Sequence, residues 1–192
     1  MIKRSAAFLV GTHAVLAAAS MGAGTFSPPR IPAPAAVEAA NPRCLSCSAP
    51  AQLSKVAGKM YRGGGLDAAF LSPGVVFEDP AVCCVGTVEV QEAFRALHAA
   101  SPESLEEPRL VVDGDNEGAT AVFALRQRYV GFLQVDSTLH IHTAADGRIS
   151  RFEERWNGTP LWKAAPFRWS RRLNGLLSSA LTPLLVTGVP PS

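Results

Sequence analysis

Residues 119–156 read ATAVFALRQRYVGFLQVDSTLHIHTAADGRISRFEERW, and this stretch decides the fold. Ala119 to Gly131 is rich in Val, Phe and Tyr, and Phe132 to Thr143 alternates polar and apolar residues. Asp146-Gly147 is a strong turn signal, and Arg148 to Trp156 completes the series. Successive side chains of an extended strand point to opposite faces. Phe123, Leu125, Gln127 and Tyr129 therefore share one face, with Arg126 and Arg128 on the other. Leu139 and Ile141 oppose His140 and His142. Phe152, Glu154 and Trp156 oppose Arg151, Glu153 and Arg155. The result is an antiparallel meander with one apolar face, which needs a covering layer, and one polar face.

The cover comes from upstream. Gln52–Tyr61 reads as a short helix stopped by Gly63-Gly64-Gly65, and Leu66–Leu71 as one or two further helical turns. Pro73-Gly74 marks a break before a short β run, Val75-Val76-Phe77, which leads into Glu78-Asp79-Pro80. Thr87 to about Ala100 is a clearer helix with Thr87 as N-cap, and Val90, Ala93, Phe94 and Leu97 share its apolar face. Arg109–Val112 is a further strand. Helices first and a meander after give an α+β domain with helices on one face of a curved sheet.

Around this domain, residues 51–163, lie two different ends. The first 50 residues carry four basic residues and one acid, Glu38. Lys3 and Arg4 precede an apolar, Ala-rich stretch, Ala6–Ala23, and a Pro/Ala-rich linker follows to residue 50. An acid-poor leader of this kind suits targeting to a plastid or mitochondrion, or alternatively to the secretory pathway, followed by cleavage. Cys44-Leu45-Ser46-Cys47 within the linker lacks the strand–helix context of a redox site and the second ligand pair of a zinc site. Residues 164–192 form a basic tail with three arginines and no acid. Its stripe Trp169, Leu173, Leu176, Leu177, Ala180 and Leu181 has helical spacing, and Pro183 is expected to end the helix. Such a stripe is most often buried against its own domain. The other fate open to it is peripheral contact with an anionic membrane.

Composition narrows the function classes. With 47% hydrophobic and 18% charged residues, the chain is too apolar and too weakly charged to be disordered throughout. Four cysteines are too few for a disulfide scaffold. The 51–163 segment has a net charge of −4, which argues against nucleic acid as a partner. No phosphate loop, nucleophile elbow or dinucleotide fingerprint is present, so no cofactor is implied. His140-x-His142 places two imidazoles on one strand face without a third ligand, so no metal site is assigned. Cys83-Cys84 follow Pro80 in an expected loop and have only His98 nearby as a base.

The helix, the Gly-rich break, Leu66-Asp67, Phe77-Glu78-Asp79-Pro80 and Gly86–Leu97 follow one another in an order that resembles a known superfamily. It comprises ketosteroid isomerases, SnoaL-like polyketide cyclases and nuclear transport factor two. The ending Asp146-Gly147-Arg148-Ile149 to Trp156 resembles its last hairpin. Glu78-Asp79-Pro80 and Trp156-Asn157-Gly158 also resemble organellar proteins on this fold. The resemblance covers roughly residues 51–161. It implies a cone-shaped, curved antiparallel sheet with N-terminal helices on its concave face (cystatin-like, SnoaL-like). It also implies that Asp79, at the position of the superfamily's general base, moves a proton next to a carbonyl. The superfamily's two oxyanion donors fall near Ala57 and on Leu139, which are apolar. Tyr129, Gln127 and Glu154 on the inner face are the substitutes. The plainer alternative has Asp79 bonding backbone around Pro80 and Glu154 pairing with an arginine.

The leading expectation is a cone that binds a small apolar ligand among Phe94, Phe123, Leu125, Gln127, Leu139, Ile141, Phe152 and Trp156. An isomerase or cyclase-like enzyme with Asp79, Tyr129 and Glu154 as catalytic residues is the alternative. A third reading is an interaction module, homodimeric through the outer sheet face or membrane-associated through the tail.

Overall fold

A computed structural model describes residues 50–61, 66–99, 102–112, 119–129, 131–161 and 165–185. The expected leader, the Cys44/Cys47 pair and the His98 side chain lie outside the described residues. Helix α1 spans Pro50–Tyr61, and a single 3-10 turn, Ala68–Phe70, is capped by the Asp67 carboxylate. Strand β1 is Leu71–Glu78, β2 is Cys83–Val85, and helix α2 is Thr87–Ala99. Strands β3 (Glu103–Ser104), β4 (Arg109–Val112), β5 (Ala121–Tyr129), β6 (Leu133–Thr143) and β7 (Ile149–Trp156) follow. Helix α3, Ala165–Leu185, comes last.

The expected α+β architecture is present: a seven-stranded curved sheet in the order β2-β1-β7-β6-β5-β3, with β4 also on β5. Pairing is antiparallel except between β1 and β7, which run parallel. The chain crosses from β1 through everything else before β7 returns beside it. Gly147, at φ +81°, makes the Asp146-Gly147 turn that the sequence signals.

The pleat assigns faces as expected. Phe77, Phe123, Leu125, Leu139, Ile141 and Phe152 form one core with Leu53, Met60 and Tyr61 of α1 and Phe94 of α2. Phe94 meets Tyr61 edge-on at 5.7 Å and Phe77 at 4.8 Å, which locks both helices to the sheet. On the other face Arg151 bridges Glu78 and Glu153 at 2.6 and 3.1 Å, and Arg155 joins Glu153 at 2.8 Å.

Four local expectations change. Pro73-Gly74 does not interrupt β1 but sits where its pairing with β7 shifts register, a place that tolerates a missing N–H. Cys83–Val85 is a strand rather than a loop, because it completes an edge hairpin with β1. The Thr87 hydroxyl bonds Ser72 O rather than capping α2, while Glu89 reaches back to the Val85 N–H. Pro183 does not end the last helix, which runs through it to Leu185.

The largest correction concerns α3. Its apolar stripe is not buried against the domain: Trp169 is 74% exposed, Leu173 52% and Leu177 50%. The opposite face, Arg171, Asn174, Gly175, Ser178 and Thr182, is buried. The physical reason is the surface it meets. The 79–83 segment presents backbone carbonyls, and these need donors. Arg171 Nη1 donates to Asp79 O at 3.4 Å, Asn174 Nδ2 to Ala81 O at 2.8 Å and Arg172 Nη1 to Cys83 O at 3.3 Å. Gly175 then lies so close that a Cβ there would stand 2.1 Å from Cys83 O.

Candidate functional site

Strand register brings two acids together. Phe77 pairs with Phe152 and Glu78 with Glu153 in the parallel β1–β7 ladder. Phe77 and Asp79 alternate to the inner face, as do Phe152 and Glu154. Continued one residue past the Glu78–Glu153 pair, two beyond the paired phenylalanines, the same register sets Asp79 beside Glu154, and both are buried.

Each carboxyl has its own partners. Asp79 Oδ1 accepts the Ala81 and Val82 N–H groups at 2.7 and 2.6 Å, the backbone role that was the plainer alternative for this residue. Both of these bonds fall on the one oxygen, Oδ1. Glu154 pairs with no arginine among the described residues. Tyr61 OH donates to its Oε2 at 2.6 Å and Ser137 OH to its Oε1 at 2.7 Å. Tyr129 OH donates to Gln127 Oε1, closing a second polar pair on the same face. The indole Nε1 of Trp156 is buried and lies toward Glu154, favouring its charged form. It nevertheless reaches no acceptor in hydrogen-bond geometry among the described residues.

Burial controls the charges. Loss of water pushes Asp79 up to about 6, against the opposing pull of its two backbone donors and of Arg171. Burial and then the neighbouring Asp79 charge push Glu154 up to about 7, against the bonds from Tyr61 and Ser137. Tyr61 and Tyr129 are held well above the ordinary phenol range, first by burial and next by Glu154. Both phenols therefore remain donors. Two acids with different polar surroundings, both titrating near neutrality, form a proton-handling arrangement.

Of the residues singled out from the sequence, Asp79, Glu154, Tyr129 and Gln127 lie on this inner face, and Trp156 beside them. Phe94, Phe123, Leu125, Leu139, Ile141 and Phe152 are in the continuous core. Tyr129 and Val135 form a smaller apolar cluster flanked by Leu97 and Trp156. Tyr61, Ser137 and Arg171 were missed. The signal for Tyr61 was its position one helical turn after Ala57, on the same face of α1.

The remaining candidates are placed less usefully. Cys83 Sγ donates to Glu78 Oε1 at 3.4 Å, and burial pushes its thiol up to about 11. Cys84 is pushed higher still by burial. Neither is a ready thiolate. His140 and His142 lie on the outer face, and no three His, Cys, Asp or Glu side chains gather as a metal ligand set among the described residues.

No family model matches the chain, and no curated protein matches it. A solved structure is similar to it. That structure is of SalBIII, an epoxide hydrolase/cyclase-like enzyme described in connection with pyran ring formation in the polyether salinomycin. The two chains are 18% identical, the match covers 59% of this chain and 98% of that one, and the TM-score is 0.43. At that score the likeness carries no statement about activity.

Proposed function

We propose that this chain is a SnoaL-like protein that binds a small, largely apolar carbonyl compound and moves a proton beside the carbonyl. One observation carries the reading: Asp79 and Glu154 stand side by side, buried, with both pKa values raised toward neutrality. A purely structural core has no need of two adjacent desolvated carboxyls, which are costly to bury.

The roles follow from the geometry. At pH 7 Asp79, near 6, is mostly ionised, and its Oδ2 is the base. The proton passes from the substrate carbon to Oδ2, and the C–H electron pair moves onto the carbonyl oxygen. Trp156 Nε1, a buried donor with no acceptor in hydrogen-bond geometry among the described residues, and Tyr61 OH are the groups to receive that oxygen. Glu154, near 7, is partly protonated. In that state it donates to the Tyr61 oxygen and leaves the phenolic hydrogen free to turn to the substrate. Return of the proton from Asp79 to a different carbon completes an isomerisation with no other reactant. The cluster of Tyr129, Val135, Leu97 and Trp156 supplies apolar contact for the remainder of the ligand.

The test is α-hydrogen exchange. The full chain is incubated in deuterated buffer with small cyclic ketones and β,γ-unsaturated ketones, and deuterium uptake at the α-carbon is followed by NMR. Asp79→Asn is expected to slow uptake by about 100-fold or more. Uptake by Asp79→Asn at the native rate would overturn the assignment.

A further inference from the structure

The outward stripe of α3 is the largest feature that the acid–base site leaves unused, and we infer that it docks on an anionic lipid surface. Trp169, Leu173, Leu176, Leu177 and Leu181 are all exposed along one side of the helix. The side turned to the domain is polar or small: Arg171, Asn174, Gly175, Ser178 and Thr182. This inverts the ordinary arrangement of a helix packed on a soluble domain. The inversion is held in place by the carbonyl contacts of Arg171, Asn174 and Arg172, and by Arg172 pairing with both oxygens of Glu89. The domain thus fixes one face of α3, and the apolar face has to find its own cover.

Charge selects the occupant. The sequence after Glu154 contains no acid, and of its arginines Arg155 pairs with Glu153, Arg171 is buried on the 79–83 segment and Arg172 pairs with Glu89, which leaves Arg168 as the outward charge among the described residues. Arg168 is exposed beside Trp169, at the end of the stripe. A second copy would present the same acid-free stripe and give Arg168 no counter-charge, whereas an anionic headgroup layer neutralises it. Trp169 suits the headgroup boundary, where an indole has one apolar body and one polar N–H. No helix among the described residues is long and apolar enough to cross a membrane. Helix α3, about 30 Å long, therefore lies along the surface rather than through it.

Vesicle co-sedimentation of the full chain tests this, independently of the acid–base reading. The probes are phosphatidylcholine vesicles with and without phosphatidylglycerol, at low and high salt. The native chain is expected to bind the anionic vesicles and to lose affinity in high salt. Trp169→Gln/Leu173→Gln/Leu177→Gln is expected to bind about tenfold more weakly with unchanged helicity, since these side chains are exposed and the inward contacts of α3 come from Arg171, Arg172 and Asn174. Arg168→Gln is expected to bind about fivefold more weakly. Native binding by the triple variant would overturn the inference and point to the apolar 6–23 segment as the anchor. A native dimer that the triple variant splits into monomers would overturn it in favour of a second copy. Equal binding to vesicles without phosphatidylglycerol would remove the charge argument.

Discussion

Glu154 and Asp79 show how two identical functional groups acquire different properties from their neighbours. Asp79 is tied at Oδ1 to two backbone N–H groups, and Glu154 at both oxygens to hydroxyls. Because the Asp79 charge helps hold Glu154 up, Asp79→Asn should move the Glu154 titration down toward the ordinary glutamate range. A carboxyl-carbon NMR titration of the variant checks this. Tyr61→Phe removes a donor that favours ionised Glu154, so it should move the Glu154 titration upward in the same experiment. At this scale the sequence was partly readable. Strand alternation alone turned Glu154 inward, and motif order singled out Asp79. Tyr61 escaped because the motif's helical position fell on Ala57, one turn before the phenol on the same helical face. Ser137 escaped because a serine on an alternating strand carries no signal until its cross-strand neighbours are known.

Elements were legible where one periodicity dominated. Strand β4 matches its expected span, and β5, β6 and β7 do so to within two residues at either end, since apolar alternation there has a single solution. Helix α3 was legible as a helix but not as to which side faces in. Its buried stripe of Arg171, Asn174, Gly175, Ser178 and Thr182 has equally good helical spacing, and the deciding partner is a row of carbonyls far away in sequence. Gly175→Ala tests that docking with an unambiguous sign. Helix propensity alone favours alanine by about 1 kcal/mol. A Cβ 2.1 Å from Cys83 O and 2.8 Å from Cys83 C must displace backbone, so the variant should lose stability by about 2 kcal/mol or more. Thermal melting, with proteolysis to detect a detached α3, measures it. In the core, Phe94→Ala removes the ring that joins Tyr61 to Phe77, and should cost about 3–5 kcal/mol in chemical denaturation.

For the whole molecule, the buried acids make stability depend on pH. An acid whose folded pKa is raised binds its proton more tightly when folded. Its stabilising contribution is complete below the unfolded value and is lost as pH rises through the folded one. Asp79 rises from 3.8 to about 6 and Glu154 from 4.5 to about 7, so folding stability should fall between about pH 4 and pH 8. Glu154 alone accounts for on the order of 3 kcal/mol of that fall, and Glu154→Gln should flatten the curve. The overall layering followed from the order of helices and strands. The parallel β1–β7 pair did not, because Pro73-Gly74 masks the first half of β1 in the sequence pattern and its partner is distant in the chain. Yet that pair is what sets the two carboxyls next to each other. Carboxyl-carbon NMR of the full native chain across pH 3–9 tests this most directly. Two interior carboxyls titrating near pH 6 and 7 are expected, and both acids titrating at ordinary values near pH 4 would contradict the account.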